Sequence, residues 1–176
     1  IEKPFSYDYL KAQILSLLNN RQKEREAFSK RPFFPVQNMQ MSKEDEVFMN
    51  KVIEVINANM EDETFNVERM AEALCLSRSS LLRKIKTLFN MSPIDFIRLI
   101  RLKKAAELIQ DGKYRVGEIS YMVGFGSHSY FSKLFFKQFG MTPKDFEQQI
   151  ASTRSKVRNV QEINIEDLIQ NNRANS

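Results

Sequence analysis

The amino-acid sequence predicts an all-α protein: two helix-turn-helix units joined by a long central helix, preceded by a further helix and a linker. Three observations lead there. Apolar residues recur at every third or fourth position along most of the chain, as in Leu10, Ile14, Leu17 and Leu18, which is the period of a helix packed on one side. The segment from Met70 to Phe96 reappears from Ile119 to Phe146: at a shift of fifty, Ser77, Ser79, Phe89, Met91, Pro93, Asp95 and Phe96 fall on Ser127, Ser129, Phe139, Met141, Pro143, Asp145 and Phe146. Such a repeat is one structural module carried twice. Residues that start and stop helices also stand at the ends of the periodic stretches, with Ser or Asn before them, Pro in first turns and Gly after last turns.

Taken in order, the first helix is predicted over Tyr7 to Asn20. One apolar stripe on so short a helix leaves it marginal alone, so it reads as the last helix of a domain whose earlier part is missing. Residues 21–41 read as a linker, because the charged run Arg21 to Glu26 leads into Pro32-Phe33-Phe34-Pro35, which breaks a helix. The next helix opens at Ser42, with Asp45 three residues on as an approximate capping box, and runs to about Met60 with Val47, Phe48, Val52, Ile53 and Ile56 inward. Asn66 caps a short helix from Val67 to about Leu74, and Ser77 caps a second through Leu81, Leu82, Ile85, Leu88 and Phe89. Pro93 begins the central helix, where its missing N–H is harmless. Phe96, Ile97, Ile100, Ala105, Leu108 and Ile109 are its apolar positions, and Gly112 stops it after Asp111. The second copy supplies a helix from about Gly117 to Val123, a Gly124-Phe125-Gly126 turn one residue longer than its counterpart, and a helix from Ser127 to Phe139 closed by Gly140. Pro143 starts a last helix. From Ser152 the sequence turns polar, with only a weak apolar spacing of Ile163, Ile165, Leu168 and Ile169. Residues 152–176 therefore read as a tail, and 42–151 as the paired domain.

The 176 residues are 42% hydrophobic, enough for a core. Their 27 Lys and Arg against 22 Asp and Glu give +5 and a pI near 9.3, and the placement of that charge matters more than its size. Arg78, Arg83, Lys84, Lys86, Arg98, Arg101, Lys103 and Lys104 share their stretch with Asp95 alone, whereas Ser42 to Glu63 is acidic. Cys75 is the only cysteine, which excludes an intrachain disulfide; between Leu74 and Leu76 it reads as a small buried residue in a reducing, cytoplasmic protein. No apolar run approaches the roughly eighteen residues that span a bilayer, so no membrane contact is expected. The start lacks the layout of a signal peptide, and its first residue is not Met, as in a fragment. Without a Gly-rich phosphate loop or a metal-ligand cluster, neither an enzyme nor a bound cofactor or metal is expected.

In a helix-turn-helix reader the second helix enters the major groove, so its first residues must be polar and exposed while every third or fourth residue holds it to the domain. Both copies meet that demand. In the first, Leu81, Ile85, Leu88 and Phe89 anchor the helix and leave Arg78, Ser79, Ser80, Arg83 and Lys86 outward. In the second, Phe131, Phe135 and Phe139 anchor it and leave His128, Ser129, Ser132, Lys133 and Lys137 outward. Arg83 and Lys133 occupy equivalent positions. An arginine there can give two hydrogen bonds to guanine, worth about 1–3 kcal/mol of discrimination, where lysine offers a less directional charge. The caps Ser77 and Ser127 bring positive helix ends close to phosphates. At about 1.5 Å per residue, the central helix is a rod of about 28 Å. That approaches the roughly 34 Å of one DNA turn, so readers at its two ends are spaced for successive major grooves.

The run Ile119-Ser120-Tyr121-Met122-Val123-Gly124-Phe125-Gly126-Ser127-His128-Ser129-Tyr130-Phe131-Ser132-Lys133, followed by Phe135-Phe136-Lys137-Gln138-Phe139-Gly140-Met141-Thr142-Pro143, resembles the signature of the AraC/XylS family of transcription regulators. The similarity extends over about Asp45 to Gln149. It implies a seven-helix domain with two helix-turn-helix units that binds promoter DNA and usually activates transcription. Carried over by position, base contacts come from Ser79, Leu82 and Arg83 in the first reader and from His128, Ser129, Ser132 and Lys133 in the second. Ser77, Arg78, Ser80, Lys86, Ser127, Tyr130 and Lys137 complete the implied DNA-binding set. Leu82 departs from the polar residue often found at its position. Separately, Lys3-Pro4-Phe5 ahead of a helix resembles the end of a response-regulator receiver domain, which makes residues 1–20 a receiver remnant of the hybrid two-component type. The phosphorylation site then lies upstream.

Double-stranded promoter DNA is accordingly the expected partner, with RNA polymerase and a homodimeric full-length protein beside it. His128, the sole histidine, reads as a DNA contact or a neighbour of the cap. The rival reading is a helical protein-interaction module without DNA binding, which would need the same Phe-rich cores.

Overall fold

The computed structural model describes the backbone of residues 7–174 and the side chains of residues 7–158. Among the described residues there are eight α-helices and no strand: α1 (Tyr7–Lys30), α2 (Lys43–Ala58), α3 (Val67–Ala73), α4 (Arg78–Phe89), α5 (Pro93–Asp111), α6 (Val116–Met122), α7 (His128–Phe139) and α8 (Pro143–Ala174).

The helices begin where side-chain caps are available. Ser42, Asn66, Ser77 and Ser127 accept from the backbone N–H of Asp45, Arg69, Ser80 and Tyr130 at 3.2, 3.0, 3.1 and 3.3 Å. Two further caps went unread in the sequence. Ser92 and Thr142 each accept from the N–H three residues on, at 3.2 and 3.1 Å, and donate to the carboxylates of Asp95 and Asp145, both at 2.6 Å. Each satisfies an otherwise orphaned N–H in the first turn, two residues after the proline that opens α5 or α8. At the far ends, Gly112 and Gly140 turn the chain with φ of +70° and +77°.

α5 runs through the middle. Its first half puts Phe96, Ile97, Leu99 and Ile100 into a core with Met49, Val52, Ile56, Met70, Leu81, Ile85 and Phe89. Its second half puts Leu102, Ala105, Ala106 and Ile109 into a second core with Ile119, Val123, Phe125, Phe131, Phe135 and Phe146. A helix enclosed on both ends shows no single apolar stripe, which is why Leu99 and Leu102 escaped the sequence reading. Met60 packs against both cores.

The structure corrects four expectations. The first helix does not end at Asn20. Arg, Gln, Lys, Glu and Ala from 21 to 27 all favour helix, nothing breaks it before Pro32, and Phe28 is buried with its ring 5.0 Å from Phe89 and 6.1 Å from Phe96. The first ten residues of the supposed linker are thus helix, and Arg25, Phe28 and Ser29 among them grip the domain; Leu10, Ile14, Leu17 and Leu18 are instead exposed. In α2, Met49 is buried and Val47 exposed; nine residues from Ile56, Val47 falls on the opposite side of a helix. Cys75 is exposed, with φ of +53°, because it makes the turn that Gly124 makes in the second unit. The last helix runs on to Ala174, through the stretch that composition leaves as a tail. Lys3-Pro4 lies outside the described residues, as do the side chains of Ile163, Ile165, Leu168 and Ile169.

Candidate nucleic-acid interface

On α4, Leu81, Ile85 and Phe89 are buried while Ser77, Arg78, Ser79, Leu82, Arg83 and Lys86 are exposed, Leu82 to 50%. Ser80 is half-buried rather than outward, because its Oγ accepts from Ser77 Oγ at 2.9 Å within the cap. The cations on this helix are not equivalent. Arg78 pairs with Glu68 of α3 at 2.8 Å, and the Lys84 ammonium sits over the Phe48 ring at 4.5 Å. Arg83 and Lys86 have no ion pair among the described residues, which leaves them free for an outside anion.

On α7, Phe131 and Phe135 are fully buried, and Ser127, His128, Ser129, Tyr130, Lys133 and Lys137 are exposed. Ser132 is half-buried, a second departure from the outward set. Tyr130 lies edge-on to Phe125 at 6.2 Å, and the His128 ring is 6.2 Å from Phe131, so aromatic neighbours orient the helix start. Phe136 is 55% exposed and stands where Lys86 stands in α4, fifty residues earlier. The sequence reading passed over it, although the anchoring period of Phe131, Phe135 and Phe139 already leaves it outside.

Two cations counted with the basic stretch are not on the surface at all. Arg101 is 6% exposed; its guanidinium donates to Gly124 O at 3.0 Å, Asp62 O at 2.6 Å and Asn59 O at 3.3 Å, while its Nε has no partner. Burial pulls its pKa below the ordinary arginine value. This one side chain joins the loop after α2 to the turn of the second unit. The turn closes so tightly around it that a Cβ on Gly124 would meet Met60 O at 2.5 Å and Arg101 Cζ at 2.7 Å. A Cβ on Gly126, the inserted residue, would run into the Glu63 carboxylate. On the same loop, hydrogen bonds from Thr64 and Arg69 hold the Asp62 carboxyl down to about 2.

Lys103 donates to Arg31 O at 2.7 Å and Phe34 O at 3.1 Å, over the Phe28 ring at 4.5 Å. Burial lowers its pKa to about 8, with Glu107 opposing. The sequence did carry a signal for Arg101: it falls four residues after Ile97 and four before Ala105, on a buried row.

Residues 70–149 match the family described as a helix-turn-helix domain. Over 149 residues the chain is 36% identical to histidine kinase P4 of Formosa agariphila, an alignment covering 85% of this chain and 11% of the kinase. It spans 33% and 42% of the next curated relatives it matches. Among solved structures it is similar to the C-terminal domain of AraT, a response regulator from Geobacillus stearothermophilus, with 28% identity, a TM-score of 0.53, and coverage of 62% of this chain and 88% of that one. It shares its fold with a transcriptional regulator of the AraC-type DNA-binding group from Chromobacterium violaceum, at 24% identity and a TM-score of 0.57, covering 62% of this chain and 97% of that one. With a helix-turn-helix domain at 70–149 and matched units on either end of α5, the chain has the all-helical, two-reader fold of the AraC-type DNA-binding domains.

Proposed function

We propose that this chain is a sequence-specific reader of double-stranded promoter DNA, serving as the output domain of a longer phosphorelay protein that activates transcription in the cytoplasm. The observation that carries the reading is the mounting of α4 and α7, each with unpaired cations outward, on one continuous spacer helix. In this reading α4 and α7 enter successive major grooves. Arg83 addresses a base edge, Ser79, Leu82, His128, Ser129, Ser132 and Lys133 add contacts, and Ser77, Ser127, Arg78, Ser80, Lys86, Tyr130 and Lys137 hold the backbone. Half-burial of Ser80 and Ser132 assigns them shorter reach than their neighbours. The similarity to a histidine kinase and to the C-terminal domain of a response regulator supports the phosphorelay setting; homodimerisation of the full protein and contact with RNA polymerase complete the proposal.

Selection of bound duplexes from a random pool, followed by titration at several salt concentrations, tests it. Arg83→Ala is expected to weaken the selected site by about 1–3 kcal/mol and relax one base position, while Lys86→Ala weakens all sequences alike and lowers the salt slope by about one. Wild-type behaviour from both variants would remove these helices from the groove.

A further inference from the structure

The end of α1 touches both readers at once. Arg25 donates from Nε to Leu88 O at 2.8 Å and from Nη2 to Thr87 O at 2.6 Å, at the C-terminal end of α4. Those carbonyls lack partners within the helix, and the guanidinium meets the negative end of its dipole. One turn further along α1, Ser29 accepts from Gln138 Nε2 of α7, at 2.6 Å through its carbonyl and 2.8 Å through Oγ. Phe28, between them, enters the first core. Past the helix, the Phe33 ring lies 5.8 Å from Phe146 in the second core, and Lys103 ties the carbonyls of Arg31 and Phe34 to α5.

We infer that this segment is a brace fixing the distance and angle between α4 and α7, with Arg25 and Gln138 as positioning residues that set which half-site spacing the chain accepts. The inference rests on the DNA-reading function proposed above. Without this segment, α5 would join the two units across a junction held by Arg101 and Met60. A rotation of one unit about that axis moves α4 relative to α7, and it breaks the bonds at Arg25 or at Gln138. The brace therefore closes a ring of helices, α4 to α1 to α7 to α5, that a spacer by itself leaves open.

The test uses the whole chain with nitroxide labels on Glu72→Cys and Glu147→Cys in a Cys75→Ser background, without DNA, beside affinity measurements on the selected duplex and on the same duplex lengthened by one base pair. Both labelled positions are exposed and outside the proposed interface. With Arg25 and Gln138 intact, one narrow distance is expected. In the Arg25→Ala/Gln138→Ala double variant, with its helical circular dichroism unchanged, the distribution broadens and preference for the original spacing falls about tenfold, the worth of about 1.4 kcal/mol. An unchanged distribution overturns the brace. A broadened distribution with equal loss of affinity at both spacings overturns its part in reading. If the wild-type chain selects no duplex, the DNA-binding reading fails, and the label distances still decide whether the brace exists.

Discussion

Two side chains show how position decides what a residue type does. Cys75 and Gly124 hold matching turns with φ of +53° and +77°, but only one of them is a glycine. A side chain in the left-handed region costs roughly 1–2 kcal/mol, part of which glycine's looser unfolded state returns. Cys75→Gly is expected to stabilise the protein by about 0.5–1 kcal/mol, read as a raised denaturant midpoint; a lowered one would mean that the thiol contributes packing. Lys103 makes a second case. Its folded value near 8 lies below the ordinary 10.5, so between these pH values the unfolded chain binds the extra proton and stability rises with pH. Lys103→Met should flatten that rise, as measured by denaturation across the window. Neither role was legible in the sequence. Cys75 looked buried because two leucines flank it, and Lys103 looked like surface charge, since its partners are backbone carbonyls far away in the chain. The outward placing of Arg83 and Lys133 and the inward placing of the anchoring phenylalanines were legible, because they obey the helical period within a single element.

Elements were easier to read than side chains. Caps, prolines and glycines marked the ends of α3, α4, α5 and α7 because those signals are local. What failed was the inference that a change of composition ends a helix: α1 runs through a charged run, and α8 through a polar one, because nothing in either stretch opposes helix. The inserted glycine of the second turn was visible as a change of repeat shift from fifty to forty-nine. Its reason was not, since the Glu63 carboxylate that crowds it arrives from the other unit. Gly124→Ala is expected to cost about 2–4 kcal/mol, from backbone strain together with a clash against a carbonyl that cannot step aside. A thermal melt within a degree or two of wild type would show the turn to be more forgiving than its contacts imply.

At the scale of the whole molecule, the proposed function has one chain behave as a dimer of simple readers does. If the spacer's 19 helical residues and the α1 brace hold α4 and α7 on one side of a duplex, as proposed, helical phase matters as well as distance. Inserting about half a turn, five base pairs, between the two halves of a selected site puts them on opposite faces; affinity should fall to that of a single half-site, and a full-turn insertion should not restore it. Retained affinity at half a turn would mean that only one helix reads. The polar junction at Arg101 has its own consequence. Two oily compartments that meet across one guanidinium and three carbonyls form a fault line, and water reaches it before it reaches either interior. Denaturant or mechanical load is then expected to part the molecule there first, releasing each half with its own helices still folded and ready to dock again.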